Sequence, residues 1–210
     1  MIKVLIADDF PIIREGIRQI LEDTEDIRVS AEASDGQDVL EKVARNNMDV
    51  VLLDISMPGK GGLDILKEIK SRNPNVPVLI LSMHPEEQYA LRAIKAGAAG
   101  YITKSRTHDE LVSAIRRVAE GRKYISESLA EELPQMIGSQ MEQPLYKRLS
   151  DREFEVLCKI ASGYTVSEIA RQLDLNVKTV STYRSRLLKK MNIRNNAQLT
   201  RYAIQNQLVG

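Results

Sequence analysis

Residues 50–62 read VVLLDISMPGKGG: four apolar residues run straight into the carboxylate of Asp54, and the chain then breaks into a loop of proline and glycine. An apolar run with no polar alternation marks a strand covered on both faces, as in a parallel sheet sandwiched between helices. Similar runs recur at KVLIA (3–7), RVSAEA (28–33), PVLIL (77–81) and AAGYIT (98–103), with DVVLL (49–53) the third of five. Helical periodicity fills the intervals over 11–21, 37–45, 63–71, 86–96 and 108–120. The alternation predicts an α/β fold, a doubly wound five-stranded parallel sheet, over residues 1–121.

Beyond Gly121 the alternation stops. Residues 122–146 read as a linker, with a short helix in SESLAEELPQM ending at Pro134, and residues 147–210 read as a second, all-α domain. Its helices are expected over 151–162, closed by Gly163, then 166–173, 177–191 and 197–205. Charge divides along the same line. The net charge of +1 conceals −4 over residues 1–121, −2 over 122–146 and +7 over 147–210. A basic final third behind an acidic body points to nucleic acid or another polyanion as its partner.

Composition excludes several classes. One cysteine in 210 residues rules out an internal disulfide framework and a Cys-rich zinc site, and Cys158 is expected as buried filler. No window approaches the roughly 18 apolar residues of a membrane span, and MIKVLIADDF is too short an apolar run for a signal segment, so the expectation is a cytoplasmic protein with no membrane partner.

Open parallel sheets bind ligands beyond the carboxyl ends of their strands. A census of those ends gives Asp8 and Asp9, then Asp54, then Ser82, then Lys104. Three carboxylates together repel, and a hard divalent cation relieves them; magnesium takes one or two carboxylates and favours a phosphate oxygen as a further ligand. Lys104 suits a phosphate oxygen and Ser82 adds a hydrogen bond. The set reads as a site that receives a phosphoryl group, with Asp54 as the nucleophile. The competing reading of Asp8 and Asp9 is a simple cap on the helix opening near Pro11.

ADD (7–9), LLDISMPGKGG (52–62), LS (81–82) and GYITK (100–104) resemble the flavodoxin-like receiver domain of bacterial two-component response regulators. The resemblance implies that a sensor histidine kinase phosphorylates Asp54, with Mg2+ held by Asp9, Asp54 and the backbone carbonyl of Ser56, and with Asp8 acting mainly through water. Ser82 and Lys104 would then bind the phosphate while Tyr101 swings inward. Tyr101 also fits an ordinary half-buried strand aromatic, and His84 reads as a loop residue that tunes phosphate lifetime. Such receivers usually follow the lysine with a cis-proline; here Ser105 follows, so the peptide is either a cis bond costing about 3 kcal/mol or trans with Lys104 placed differently.

In the basic module, Ser150 and Glu153 have capping-box spacing and Asn176 is a good cap for the third helix. On that helix Val180, Tyr183, Leu187 and Met191 fall within about 80° of one another and form the buried stripe. Lys178, Thr182, Ser185 and Lys189 lie opposite, flanked by Ser181 and Arg186, with Thr179 completing the expected DNA-contact set. Hydroxyls suit base edges and cations suit phosphates. EFEVLCKIASGYTVSEIA followed by LNVKTVSTYRSRLLKKM resembles a LuxR-type helix-turn-helix domain, and the domain order resembles the NarL/FixJ class. That resemblance implies a homodimer on promoter DNA when phosphorylated, with 197–205 as the dimer helix.

The expected function is therefore a phosphorylation-controlled transcriptional regulator rather than an enzyme. A phosphoaspartyl hydrolase needs a second acid two residues after Asp54, where Ser56 stands, and PGKGG lacks the pattern of a nucleotide-binding loop. The sequence is equally compatible with control of the DNA module without phosphate, through dimerisation or a small ligand.

Overall fold

The computed structural model describes residues 1–45, 47–126, 130 and 144–209. The chain divides into two compact units, Met1–Met136 and Ile137–Gly210. The first alternates β1 (Ile2–Ala7), α1 (Pro11–Glu22), β2 (Ile27–Ala33), α2 (Gly36–Arg45), β3 (Val50–Asp54), α3 (Gly62–Arg72), β4 (Val78–Ser82), α4 (Glu86–Lys95), β5 (Gly100–Thr103) and α5 (His108–Ala119). All strands are parallel, in the order β2-β1-β3-β4-β5. Every residue of β3 and β4 is buried, which is why their sequences lack alternation.

Register turns this order into a site. The chain leaves β1 toward β2 on one side and returns to β3 on the other, so the crevice of the sheet opens between β1 and β3. Ala7 pairs with Leu53, which sets Asp8 beside Asp54 at the rim. Asp54 pairs with Leu81, so Ser82 lies one step further out; Ser82 pairs with Thr103, which brings Lys104 to the same edge. Four segments far apart in sequence thereby deliver their last residues to one place.

The strand limits sit about a residue from those read off the sequence, and β3 includes Asp54 itself. Tyr124, inside the stretch expected as linker, bridges to Gly100 and donates its backbone N–H to Ala99 O at 2.9 Å. The helix read from SESLAEELPQM lies outside the described residues but for Ser126 and Ala130.

Among the described residues the second unit has a 3-10 turn, Leu145–Arg148, followed by α6 (Asp151–Ala161), α7 (Val166–Gln172), α8 (Val177–Met191) and α9 (Asn196–Gln205). Each start is written locally. Ser150 with Glu153 and Thr165 with Glu168 form reciprocal capping boxes, and Asn176 accepts from the N–H of Lys178 to start α8. Asn192 ends α8 in the left-handed conformation. α6 packs against α8 and α9 over a core that includes Phe154, Leu157, Val180, Leu187 and Leu199, with Cys158 buried as expected. Glu153 is buried too: burial works against its ionisation, but Lys190 at 2.6 Å and Ser150 hold its carboxyl below the usual range and tie α6 to α8.

Candidate phosphoacceptor site and nucleic-acid interface

The acidic residues converge. Asp8, Asp9 and Asp54 each offer a carboxylate oxygen, and the three atoms lie within 4.8 Å of one another. Asp8 is fully engaged: one oxygen accepts from the N–H of Phe10 at 2.9 Å and the other from Lys104 Nζ at 2.5 Å. Lys104 Nζ also lies 3.2 Å from Asp54 Oδ2. Two of the other oxygens, Asp9 Oδ1 and Asp54 Oδ1, are buried without a hydrogen-bond partner. An unsatisfied buried carboxylate oxygen is costly, and two facing one crevice are what an oxygen-liganded cation would relieve. The donor set therefore fits magnesium.

Burial pushes the Asp54 carboxyl up to about 6; Lys104 pulls against that rise and the neighbouring Asp8 adds to it. Burial also raises Asp9, again with Asp8 adding. Near pH 7 Asp54 is thus mostly ionised yet more basic than an ordinary aspartate, which suits a nucleophile.

The cap reading of the two acids does not hold for α1. Phe10 is its N-cap, no side chain caps it, and Pro11 fills its first turn. The Lys104–Ser105 peptide is trans, since no peptide among the described residues is cis, and Lys104 reaches the carboxylates all the same. Ser56 is exposed, and its hydroxyl sits 3.2 Å from His84 Nε2. Ser82 is buried at the end of β4, where its hydroxyl accepts from the N–H of His84 at 3.0 Å. Tyr101 is buried rather than half-buried, and its hydroxyl donates to the carbonyl of His84 at 2.9 Å.

The loop after Asp54 is held by glycine. Gly59 has φ +72°, and a Cβ on Gly62 would stand 2.4 Å from the Asp54 carbonyl oxygen and 2.6 Å from Ile55 Cα. The Gly62 N–H closes the loop on Ile55 O at 3.0 Å.

On α8, Val180, Leu187 and Met191 are buried while Tyr183 is only half-buried. Lys178, Ser181, Thr182, Ser185, Arg186 and Lys189 are exposed, and Thr179 is half-buried. Arg184 is drawn aside, its Nε donating to Asn196 Oδ1 on α9 at 2.8 Å.

Residues 4–116 match the response regulator receiver domain, and residues 147–203 match the bacterial regulatory proteins of the luxR family. This chain belongs to the response regulators. The response regulator UvrY of Escherichia coli (strain K12) is 41% identical over 99% of this chain and 96% of its own. The structure of RcsB from Salmonella enterica serovar Typhimurium bound to promoter rprA in the presence of phosphomimetic BeF3- matches with a TM-score of 0.66 and 28% identity, over 96% of this chain and 97% of that one. A structure of two RcsB dimers bound to two parallel DNAs matches with a TM-score of 0.59 at 28% identity, over 97% and 98%. The response regulator is accordingly of the NarL/FixJ class, a transcriptional regulator with a receiver and a LuxR-type DNA-binding domain, and not an enzyme. No helix among its described residues is long and apolar enough to cross a membrane.

Arg14 and Val177 escaped the sequence reading of this response regulator, and of His84, expected there as a loop residue, the contacts were not foreseen. Arg14 donates to the carbonyl of Asp8 at 2.7 Å and to Glu32 at 3.2 Å, bracing the acidic corner against β2. His84 contacts Ser56, Ser82 and Tyr101 at once. Val177 is an exposed apolar residue at the first turn of α8. No motif signals the first two, because their partners are assembled by register rather than by local spacing.

Proposed function

We propose that Asp54 is the phosphoacceptor, that the donor is a sensor histidine kinase, and that Mg2+ is the working cofactor. In this reading Asp9, Asp54 and the backbone carbonyl of Ser56 would hold the cation, with Asp8 acting mainly through water, and the cation would supply charge neutralisation at the phosphoryl oxygens. The observation that carries the reading is which oxygens lack partners. They belong to Asp9 and Asp54, whereas both oxygens of Asp8 are already occupied. An Asp54 oxygen attacks phosphorus as the bond to the donor nitrogen breaks, and Lys104 and Ser82 then turn to the phosphate oxygens. Release of the Ser82 hydroxyl from the His84 N–H would pass to Tyr101 through the His84 carbonyl.

The output is binding to promoter DNA by a homodimer, supported by the RcsB dimers on DNA. Lys178, Arg186 and Lys189 meet phosphates, and Ser181, Thr182 and Ser185 meet bases, with Thr179 at the margin. The domain limits are 1–121, 122–146 and 147–210, and the site of action is the cytoplasm. Incubation with a small phosphodonor and Mg2+ should add one phosphate to the wild type. Full labelling of Asp54→Asn, or labelling indifferent to chelator, would refute the assignment.

A further inference from the structure

The middle of the outward face of α8 is held by a threonine whose hydroxyl proton is already committed. Thr182 is exposed, and its Oγ1 donates to the carbonyl of Lys178, one turn back, at 2.8 Å. A hydroxyl has one proton, and back-bonding to the preceding turn fixes the side-chain rotamer. What Thr182 offers outward is a methyl group and the remaining lone pairs of its oxygen. At about 100° per residue, Lys178, Lys189 and Arg186 all fall within about 40° of it. Cations on both sides of one position suit a helix lying in a groove between two phosphate strands, with that position over the base edges. Ser181 and Ser185, off to one side, have no engaged hydroxyl among the described residues.

In the major groove the C5-methyl of thymine is the apolar feature that a base pair displays; the other edge groups are donors and acceptors. Building on the DNA-contact face proposed above, we infer that Thr182 selects a thymine in each half-site by contact between the two methyl groups, not by a hydrogen bond from its hydroxyl. Ser181 and Ser185 are the hydroxyls left for polar readout.

The test uses the full-length chain, with Mg2+ and beryllofluoride, on a duplex it selects from a randomised pool. Each thymine of that duplex is replaced singly by deoxyuridine, which lacks only the C5-methyl, and binding is measured for wild type, Thr182→Val and Thr182→Ser. At one position per half-site, wild type and Thr182→Val should bind the deoxyuridine duplex about fourfold more weakly, the equivalent of about 0.8 kcal/mol for one buried methyl group. Thr182→Ser should bind both duplexes equally. Discrimination that survives in Thr182→Ser, or that is lost in Thr182→Val, which keeps the methyl group, overturns the inference while the face assignment stands. If both variants keep the full sequence preference of wild type, Thr182 does not face the bases, and the proposed contact face falls with the inference.

Discussion

The acidic corner of the receiver and the outward face of α8 are built on opposite plans. The first collects Asp8, Asp9, Asp54, Ser82 and Lys104 from four strand ends and buries most of them, with Lys104 held against Asp8 and Asp54. The second draws every residue from one helix and leaves nearly all of them in solvent. A buried charged site stores electrostatic cost that a ligand can release, and that makes it a switch. An exposed face stores nothing and is completed by its partner.

If that contrast is right, perturbations of the corner should move folding stability by kilocalories, while perturbations of the helix face should leave stability alone and move binding. The largest effect belongs to Lys104→Met. It leaves Asp8 and Asp54 buried without their cation, so metal-free unfolding at pH 7 should become easier by about 3 to 5 kcal/mol, with Mg2+ restoring much of the loss. A variant as stable as wild type without metal would break the comparison.

Asp54→Asn should move the other way. The folded carboxyl titrates at about 6 against an ordinary 3.8, so ionising it penalises the fold; the penalty is complete above pH 6, shrinks as pH falls from 6 toward 3.8, and is absent below. Removing the charge should stabilise the metal-free protein by roughly 2 to 3 kcal/mol at pH 7.5 and by little at pH 3.5. Denaturant titrations at the two pH values measure this, and a gain independent of pH would contradict the burial account.

Gly62→Ala forces a Cβ against the Asp54 carbonyl and Ile55 Cα, both backbone and neither able to swing away. A loss of about 1 to 3 kcal/mol is expected, with slower phosphate uptake because the strand end bearing Asp54 must shift. Unchanged uptake in a destabilised protein would separate loop packing from site geometry. Smallest in stability terms are Lys178→Ala and Lys189→Ala. Thermal unfolding should stay within about 0.5 kcal/mol of wild type, while DNA binding weakens for all sequences alike and the salt slope falls by about one phosphate contact. Altered sequence preference in these variants would instead make the lysines base readers.

The same contrast explains what could be read before the structure was known. β3 and β4 were legible because burial on both faces removes polar residues, whereas β2 keeps Arg28, Ser30 and Glu32 and is partly exposed; the site was legible because Asp8, Asp54, Ser82 and Lys104 each directly follow a strand run, as Asp54 follows VVLL. Arg14 on Asp8 and His84 between Ser82 and Tyr101 were not, because those pairs exist only once register brings them together. Lys190 on buried Glu153 is the same case in the second unit, a contact between α6 and α8 that no spacing announces. On α8 periodicity separated the buried stripe from the open face, but it could not show that the Thr182 hydroxyl turns back to Lys178 or that Arg184 is held by Asn196. Ser105 after Lys104 left two backbone conformations open, and the structure has the trans one.

In the function proposed above, phosphate on Asp54 is what adjusts the DNA-binding module. Allosteric coupling of this kind is typically about 1 to 3 kcal/mol, a shift of roughly 5- to 150-fold in affinity. One measurement tests it most directly: titration of full-length wild type and Asp54→Asn against the selected duplex, before and after a small phosphodonor with Mg2+, with intact mass recorded on the same samples. Wild type should gain one phosphate and tighten within that range, and Asp54→Asn should gain neither mass nor affinity. Tightening of Asp54→Asn by the same factor, or a fully phosphorylated wild type whose affinity and dimerisation do not move, would contradict it.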